Sequence, residues 1–116
     1  MNRLQLSMMA FAALGAASAS AHPKLLSATP AANATVAPPA HIELHFSEKL
    51  IPQLTGSDLV KAGAAKVAST TTVGADGKTM IVQPKAPLTA GSYSLNWHAV
   101  SVDTHRVTGI HKFSVR

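Results

Sequence analysis

Three residues of this chain have the types and spacing to hold a metal ion: His22, Asp103 and His105. His22 follows directly on Ala19-Ser20-Ala21, an A-x-A pattern of the kind a signal peptidase cuts after. Cleavage there makes His22 the first residue, with a free α-amine beside its imidazole, and those two nitrogens can grip one ion as a chelate. Pro23 comes next and has no amide N–H to give up, so the backbone adds no third nitrogen from this end. The other donors must come from elsewhere in the fold. Asp103-Thr104-His105 is the evident supplier, because residues two apart in extended chain point to the same face. The set then has three nitrogens and one oxygen, a tetragonal arrangement that suits Cu(II), which also leads the divalent metals in affinity for nitrogen-rich sites. An isolated D-x-H triplet is common by chance. A histidine immediately after a cleavage site is less so, and the two signals are independent. The bland alternative is a frayed terminus at His22, with Asp103 paired to Arg106 or Lys112.

The elements that must position these residues come after an address. Residues 1–21 read as a secretory signal peptide: Arg3 supplies a positive start, residues 4–14 are mostly apolar, and small residues lead to the cleavage site. The apolar stretch is shorter than the ~20 residues of a membrane-spanning helix. The expected product is an exported, soluble domain over residues 22–116. His41-Ile42-Glu43-Leu44-His45-Phe46 alternates, with Ile42, Leu44 and Phe46 on one face and the polar residues on the other, which predicts a half-buried strand. Asp76-Gly77 predicts a tight hairpin between a Thr-rich run ending at Val73 and Met80-Ile81-Val82. Tyr93, Leu95, Trp97 and Ala99 alternate in the strongest strand pattern of the chain, and residues 107–115 close it with a last strand. Prolines punctuate the remainder and forbid long helices. About seven strands in one domain predict an all-β, antiparallel Greek-key sandwich. Residues 88–93 look like the corner of immunoglobulin-like sandwiches, in which a tyrosine hydroxyl bonds back to nearby backbone.

Composition narrows the chemistry further. Hydrophobic residues make up 47% of the 116, but aromatics only 4%, so the core must lean on aliphatic side chains around Trp97, Tyr93, Phe46 and Phe113. The net charge of +5 is spread over ten Lys and Arg placed singly, without the basic run or aromatic stripe of a nucleic-acid binder. With no cysteine, disulfides, thiolate sites and thiol catalysis are all excluded, leaving His, Met and carboxylates as ligands. His41 and His45 share a strand face but lie ~13 Å apart, too far for one metal without help. His98 points opposite to Trp97 and reads as a surface or hydrogen-bonded side chain. His111 shares the parity of Phe113 and Val115, which predicts a partly buried, structurally satisfied histidine.

Several blocks together resemble the CopC family of periplasmic copper-resistance proteins over essentially all of residues 22–116. They are His22-Pro23-Lys24-Leu25 with Ser27-Ala28-Thr29-Pro30, Ile42-Glu43-Leu44-His45-Phe46-Ser47-Glu48, Pro87-Leu88-Thr89-Ala90-Gly91-Ser92-Tyr93, and Trp97 to Val100 followed by Ser101-Val102-Asp103-Thr104-His105. The resemblance implies a cupredoxin-like barrel or sandwich with a Cu(II) site at one end, where His22 gives amine and imidazole and Asp103 and His105 complete the set. It also implies that Glu48 sits near the copper as an outer-sphere or weak axial group, and that an inner-membrane transporter of the CopD type is a partner. One departure matters. Some members carry a Cu(I) site in a methionine-rich loop, whereas this chain has only Met80 beyond residues 1–21, and its matching region reads Lys61-Ala62-Gly63-Ala64-Ala65-Lys66. Cu(I) prefers thioether and thiolate donors, so that site is expected to be absent.

Two other function classes compete. An N-terminal histidine chelate also resembles that of copper monooxygenases, but those need an open axial position and a broad substrate platform, usually on a larger domain. No G-x-S-x-G elbow or active-site carboxylate pair stands out either, so the expectation is a binding protein and not an enzyme. A β-sandwich used only for protein–protein interaction is the third class. A monomer is the simplest expectation.

Overall fold

The computed structural model describes residues 22–116; the segment read as a signal peptide lies outside the described residues. Alternation of side chains decides the architecture. In β3 (Ile42–Phe46) Ile42, Leu44 and Phe46 are buried and the residues between them are not. In β8 (Gly91–Val100) Tyr93, Leu95, Trp97 and Ala99 are buried in the same rhythm. Each such strand has one apolar face that must be covered, and two sheets cover each other.

One sheet has the order β1 (Leu25–Thr29), β3, β7 (Thr79–Pro84), β6 (Ser69–Val73). The other runs β2 (Thr35–Val36), β9 (Arg106–Val115), β8, β4 (Gly56–Lys61), β5 (Lys66–Val67). A single 3-10 turn, Pro52–Leu54, is the helical part of the described residues. Seven of the strands have five or more residues, and β2 and β5 are two-residue additions at the edges of the second sheet. The expected β-sandwich is therefore present, with one departure from a purely antiparallel plan. β2 pairs parallel to β9, Thr35 beside Ser114 and Val36 beside Val115. The reason is that the chain leaves β1 in the first sheet and crosses to the second, where Asn33 N–H donates to the Lys112 carbonyl at 2.7 Å. It then runs beside the last strand in the same direction.

The core lies between the sheets: Ile42, Leu44, Phe46, Met80 and Val82 from one side meet Leu59, Tyr93, Leu95, Trp97, Phe113 and Val115 from the other. Each of the larger side chains contributes about 1.5–3 kcal/mol relative to exposure. Phe46 and Trp97 pack edge to face at 5.1 Å, tying β3 to β8 close to the end where the β8–β9 connection lies. The tyrosine corner is formed as expected, with the Tyr93 hydroxyl donating to the Thr89 carbonyl at 2.6 Å. The Asp76-Gly77 hairpin also forms: Gly77 takes φ +73°, and Gly74 N–H donates to the Thr79 carbonyl at 2.8 Å. Asp76 accepts from the backbone N–H of Lys78 and Thr79 and from the Thr79 hydroxyl, and these bonds hold its carboxyl below the ordinary range.

Candidate metal centre

Two segments distant in sequence meet at one end of the sandwich, and residues 47–50 join them. Ser47 N–H donates to the Lys24 carbonyl at 2.9 Å, and Lys24 N–H donates back to the Ser47 hydroxyl at 2.9 Å. This pair of bonds fixes the chain two residues after His22, and Pro23 between them is buried. On its other side the same segment holds the β8–β9 connection: Leu50 bridges to Ser101, and Val102 N–H donates to the Lys49 carbonyl at 3.0 Å. His22 and the Asp103–His105 loop are thus both anchored on a short stretch just beyond β3.

The rings of His22 and His105 lie with centroids 4.4 Å apart and planes at 65°. His105 Nδ1 is 3.2 Å from Asp103 Oδ2, and both side chains are close to half exposed. All three residues singled out from the sequence are therefore neighbours on a solvent-facing surface. Their convergence does not come from strand alternation, which was the reason expected for Asp103 and His105. Residues 102–103 form a turn, and Thr104 takes φ +73°, a conformation rare for a β-branched residue. Thr104 N–H donates to the Ser101 carbonyl at 2.8 Å and Ser101 N–H to the His105 carbonyl at 2.9 Å, which closes the loop on itself. A tight turn, not extended chain, brings carboxylate and imidazole together. The strained residue sits between them.

Ser101 is the residue that sequence reasoning missed. It is fully buried, and its hydroxyl donates to Asp103 Oδ1, leaving Oδ2 to face His105. That hydrogen bond is the largest of the influences that lower the Asp103 pKa, ahead of the opposing desolvation and of the His105 contact. The carboxylate is thereby kept ionised and aimed. The signal available in the sequence was the Ser-x-Asp spacing, which favours local side-chain bonding. Arg106 and Lys112, the alternative partners for Asp103, make no ion pair with it among the described residues. Nor do three His, Asp or Glu side chains yet converge, among the described residues, on a point one ion could share. In the sequence the His22 nitrogen is peptide-bonded to Ala21, so a free amine exists there only if that bond is cut.

The remaining candidates separate cleanly. Glu48 is half-buried in the anchoring segment but forms no ion pair with His22 or His105 among the described residues. His111 is buried, with Nε2 2.8 Å from the Pro30 carbonyl, as a satisfied structural histidine should be. His98 is half-buried and lies across Gly56, where a Cβ would approach its ring to 2.9 Å. Met80 is wholly buried in the core. Residues 62–65 form only a short turn between β4 and β5, with Gly63 at φ +72°.

Comparison with known proteins identifies the family. The CopC domain model matches residues 25–116. The chain is 47% identical over 116 residues to copper resistance protein C of Xanthomonas campestris pv. juglandis, covering 94% of this chain and 91% of that one. It is 46% identical over 110 residues to copper resistance protein C of Pseudomonas syringae pv. tomato, covering 89% and 87%. Among solved structures it is similar to PcoC, a methionine-rich copper resistance protein from Escherichia coli, with a TM-score of 0.78 and 42% identity over 83% of this chain and all of that one. It is also similar to CopC from Methylosinus trichosporium OB3b, with a TM-score of 0.73 and 26% identity over 81% of this chain and 93% of that one. Sequence blocks, sandwich and relatives agree: the chain belongs to the CopC family, among whose members are the copper resistance proteins named above.

Proposed function

We propose that this protein, once trimmed to begin at His22, captures one Cu(II) ion in the periplasm and either sequesters it or passes it to an inner-membrane copper transporter of the CopD type. The observation that carries the reading is the contact of the His22 ring with His105, which in turn faces Asp103. The amine and imidazole of His22, the Asp103 carboxylate and the His105 imidazole supply three nitrogens and one oxygen to a d⁹ ion that favours tetragonal nitrogen-rich sites. The 4.4 Å ring spacing is close enough for small rotations to bring both imidazoles onto one ion. Met80, the single methionine of residues 22–116, is buried, so no thioether is available at the surface for Cu(I). The cargo is therefore Cu(II) alone, held at the end of the sandwich with Glu48 as an outer-sphere neighbour.

Binding needs every donor free of its proton. Asp103 has a lowered pKa, so it is ionised throughout the range above its ordinary value of 3.8 and contributes no pH dependence there. Free imidazoles and α-amines ordinarily titrate near ~6.5 and ~8, so protons compete with copper at the nitrogens. Apparent Cu(II) affinity of the trimmed protein, measured by competition with a chelator, should fall steeply between pH 8 and pH 5. A pH-independent affinity over that interval contradicts the ligand set.

Ser101 gives a second check. Replacing it with alanine removes the hydroxyl that orients Asp103 without touching a ligand. Outer-sphere groups of this kind are typically worth about 10–100-fold in metal affinity. Ser101→Ala should therefore weaken Cu(II) binding by about that factor in the same competition assay while the bound ion keeps its nitrogen donors. An unchanged affinity would show that Asp103 needs no such support.

A further inference from the structure

We propose a second divalent-cation site on the outer face of the β1–β3–β7–β6 sheet, formed by His41, Glu43 and His45 and suited to a nitrogen-favouring ion of the Zn(II) type. It is separate from the N-terminal centre and does not rest on it.

Glu43 and His45 share one face of β3, and His41, one residue ahead of it, continues the same alternation. On spacing alone His41 and His45 are too far apart for one ion, but Glu43 stands between them and reaches both. His41 Nε2 is 3.4 Å from one oxygen of the Glu43 carboxylate, and His45 Nε2 is 3.4 Å from the other. Those separations exceed the ~2.7–3.2 Å of an N–H···O hydrogen bond. They equal the gap between two donors bound to one ion: with bonds of ~2.0–2.1 Å and a tetrahedral angle, nitrogen and oxygen lie about 3.4 Å apart. The residues in register with Glu43 on either side are Thr29 and Ile81, neither of them charged, so the two imidazoles are its ion-pair partners among the described residues.

The hydrogen bonds behind His45 fix its tautomer. Thr79 donates its single hydroxyl proton to Asp76 Oδ2 at 2.8 Å. Asp76 can only accept, because three donors hold its carboxyl in the ionised form. The Thr79 oxygen, 3.2 Å from His45 Nδ1, must then be an acceptor, and Nδ1 carries the proton. In the neutral ring that leaves a bare lone pair on Nε2 facing a carboxylate oxygen, a repulsive pair unless a cation lies between them. A metal ion can fill that gap. The Asp76–Thr79–His45 relay is the kind of outer support that orients metal-bound histidines. The side chains do not yet meet at one point. His41 lies just ahead of β3 and its side chain is 53% exposed, which leaves its ring free to swing onto an ion held by Glu43 and His45.

The test uses the trimmed protein carrying His22→Ala and His105→Ala, so that the N-terminal centre cannot contribute. Zn(II) alone is titrated by calorimetry, and ring-nitrogen NMR of the histidines is followed in parallel. The expected result is one equivalent bound, with the Nε2 signals of His41 and His45 shifted and those of His98 and His111 unmoved. Glu43→Gln, which preserves shape, should weaken binding at least tenfold, and His45→Ala should abolish it, in proteins whose circular dichroism matches the parent. Failure of the parent to bind Zn(II), or binding indifferent to both substitutions, overturns the proposal. Either result leaves the copper reading where it stood.

Discussion

Cu(II) affinity should fall about a thousandfold when cleavage is blocked and His22 stays peptide-bonded to Ala21. The loss has a specific cause. An α-amine carries a localised lone pair, whereas the nitrogen of a peptide bond has its lone pair delocalised into the carbonyl and is a poor donor. Cutting the Ala21–His22 bond therefore creates a ligand that no side chain can replace. Because amine and imidazole belong to one residue, the second to bind does so intramolecularly, and linked donors of this kind gain on the order of 10²–10⁴ in overall affinity. Pro23 cannot compensate, since it has no amide proton to lose. The comparison is between trimmed and uncleaved protein in one chelator-competition assay at constant pH. Equal affinities would remove the amine from the ligand set.

The largest effect on stability is expected at Gly109. This residue pairs with Trp97 across β8 and β9, and the indole lies against it. A Cβ at Gly109 would stand 2.3 Å from Cζ2 and 2.6 Å from Cε2 of the ring. The ring has no slack to give, being buried and packed edge to face on Phe46 at 5.1 Å. Overpacking of a closed core costs typically about 1–3 kcal/mol, and a rigid fused ring puts Gly109→Ala at the upper end. For a domain of this size that lowers Tm by more than roughly 10 °C. Thermal unfolding followed by circular dichroism checks it; a shift of only a degree or two would mean that the indole can move aside.

Gly109 also shows where the sequence stops being legible. The strands that bury apolar residues alternately, β3 and β8 above all, follow from a period of two and need no partner to be recognised. The Asp76-Gly77 hairpin and the Tyr93 corner are local, each set by residues within a few positions of one another. Gly109 carries no such signal, because its role is a gap beneath a side chain twelve positions earlier that only cross-strand pairing reveals. The parallel β2–β9 pair is hidden for the same reason. At the metal centre the donor types could be read from His22 and the D-x-H triplet, but their convergence could not. It depends on Ser47 holding Lys24, on Leu50 bridging to Ser101, and on a left-handed Thr104. In the sequence Glu43 is only one polar residue of an alternating strand, and its place between two imidazoles is a matter of rotamers and of the Thr79 hydroxyl behind His45.

The central claim is that one cupric ion is held by His22 together with Asp103 and His105. Electron paramagnetic resonance of trimmed protein loaded with one equivalent of Cu(II) tests it most directly, repeated for His22→Ala, Asp103→Ala and His105→Ala. The account predicts a tetragonal spectrum with nitrogen hyperfine structure in the parent, losing nitrogen coupling in both histidine variants and changing its axial parameters in the aspartate variant. A parent spectrum that survives all three substitutions, or matches that of the hydrated ion, contradicts it.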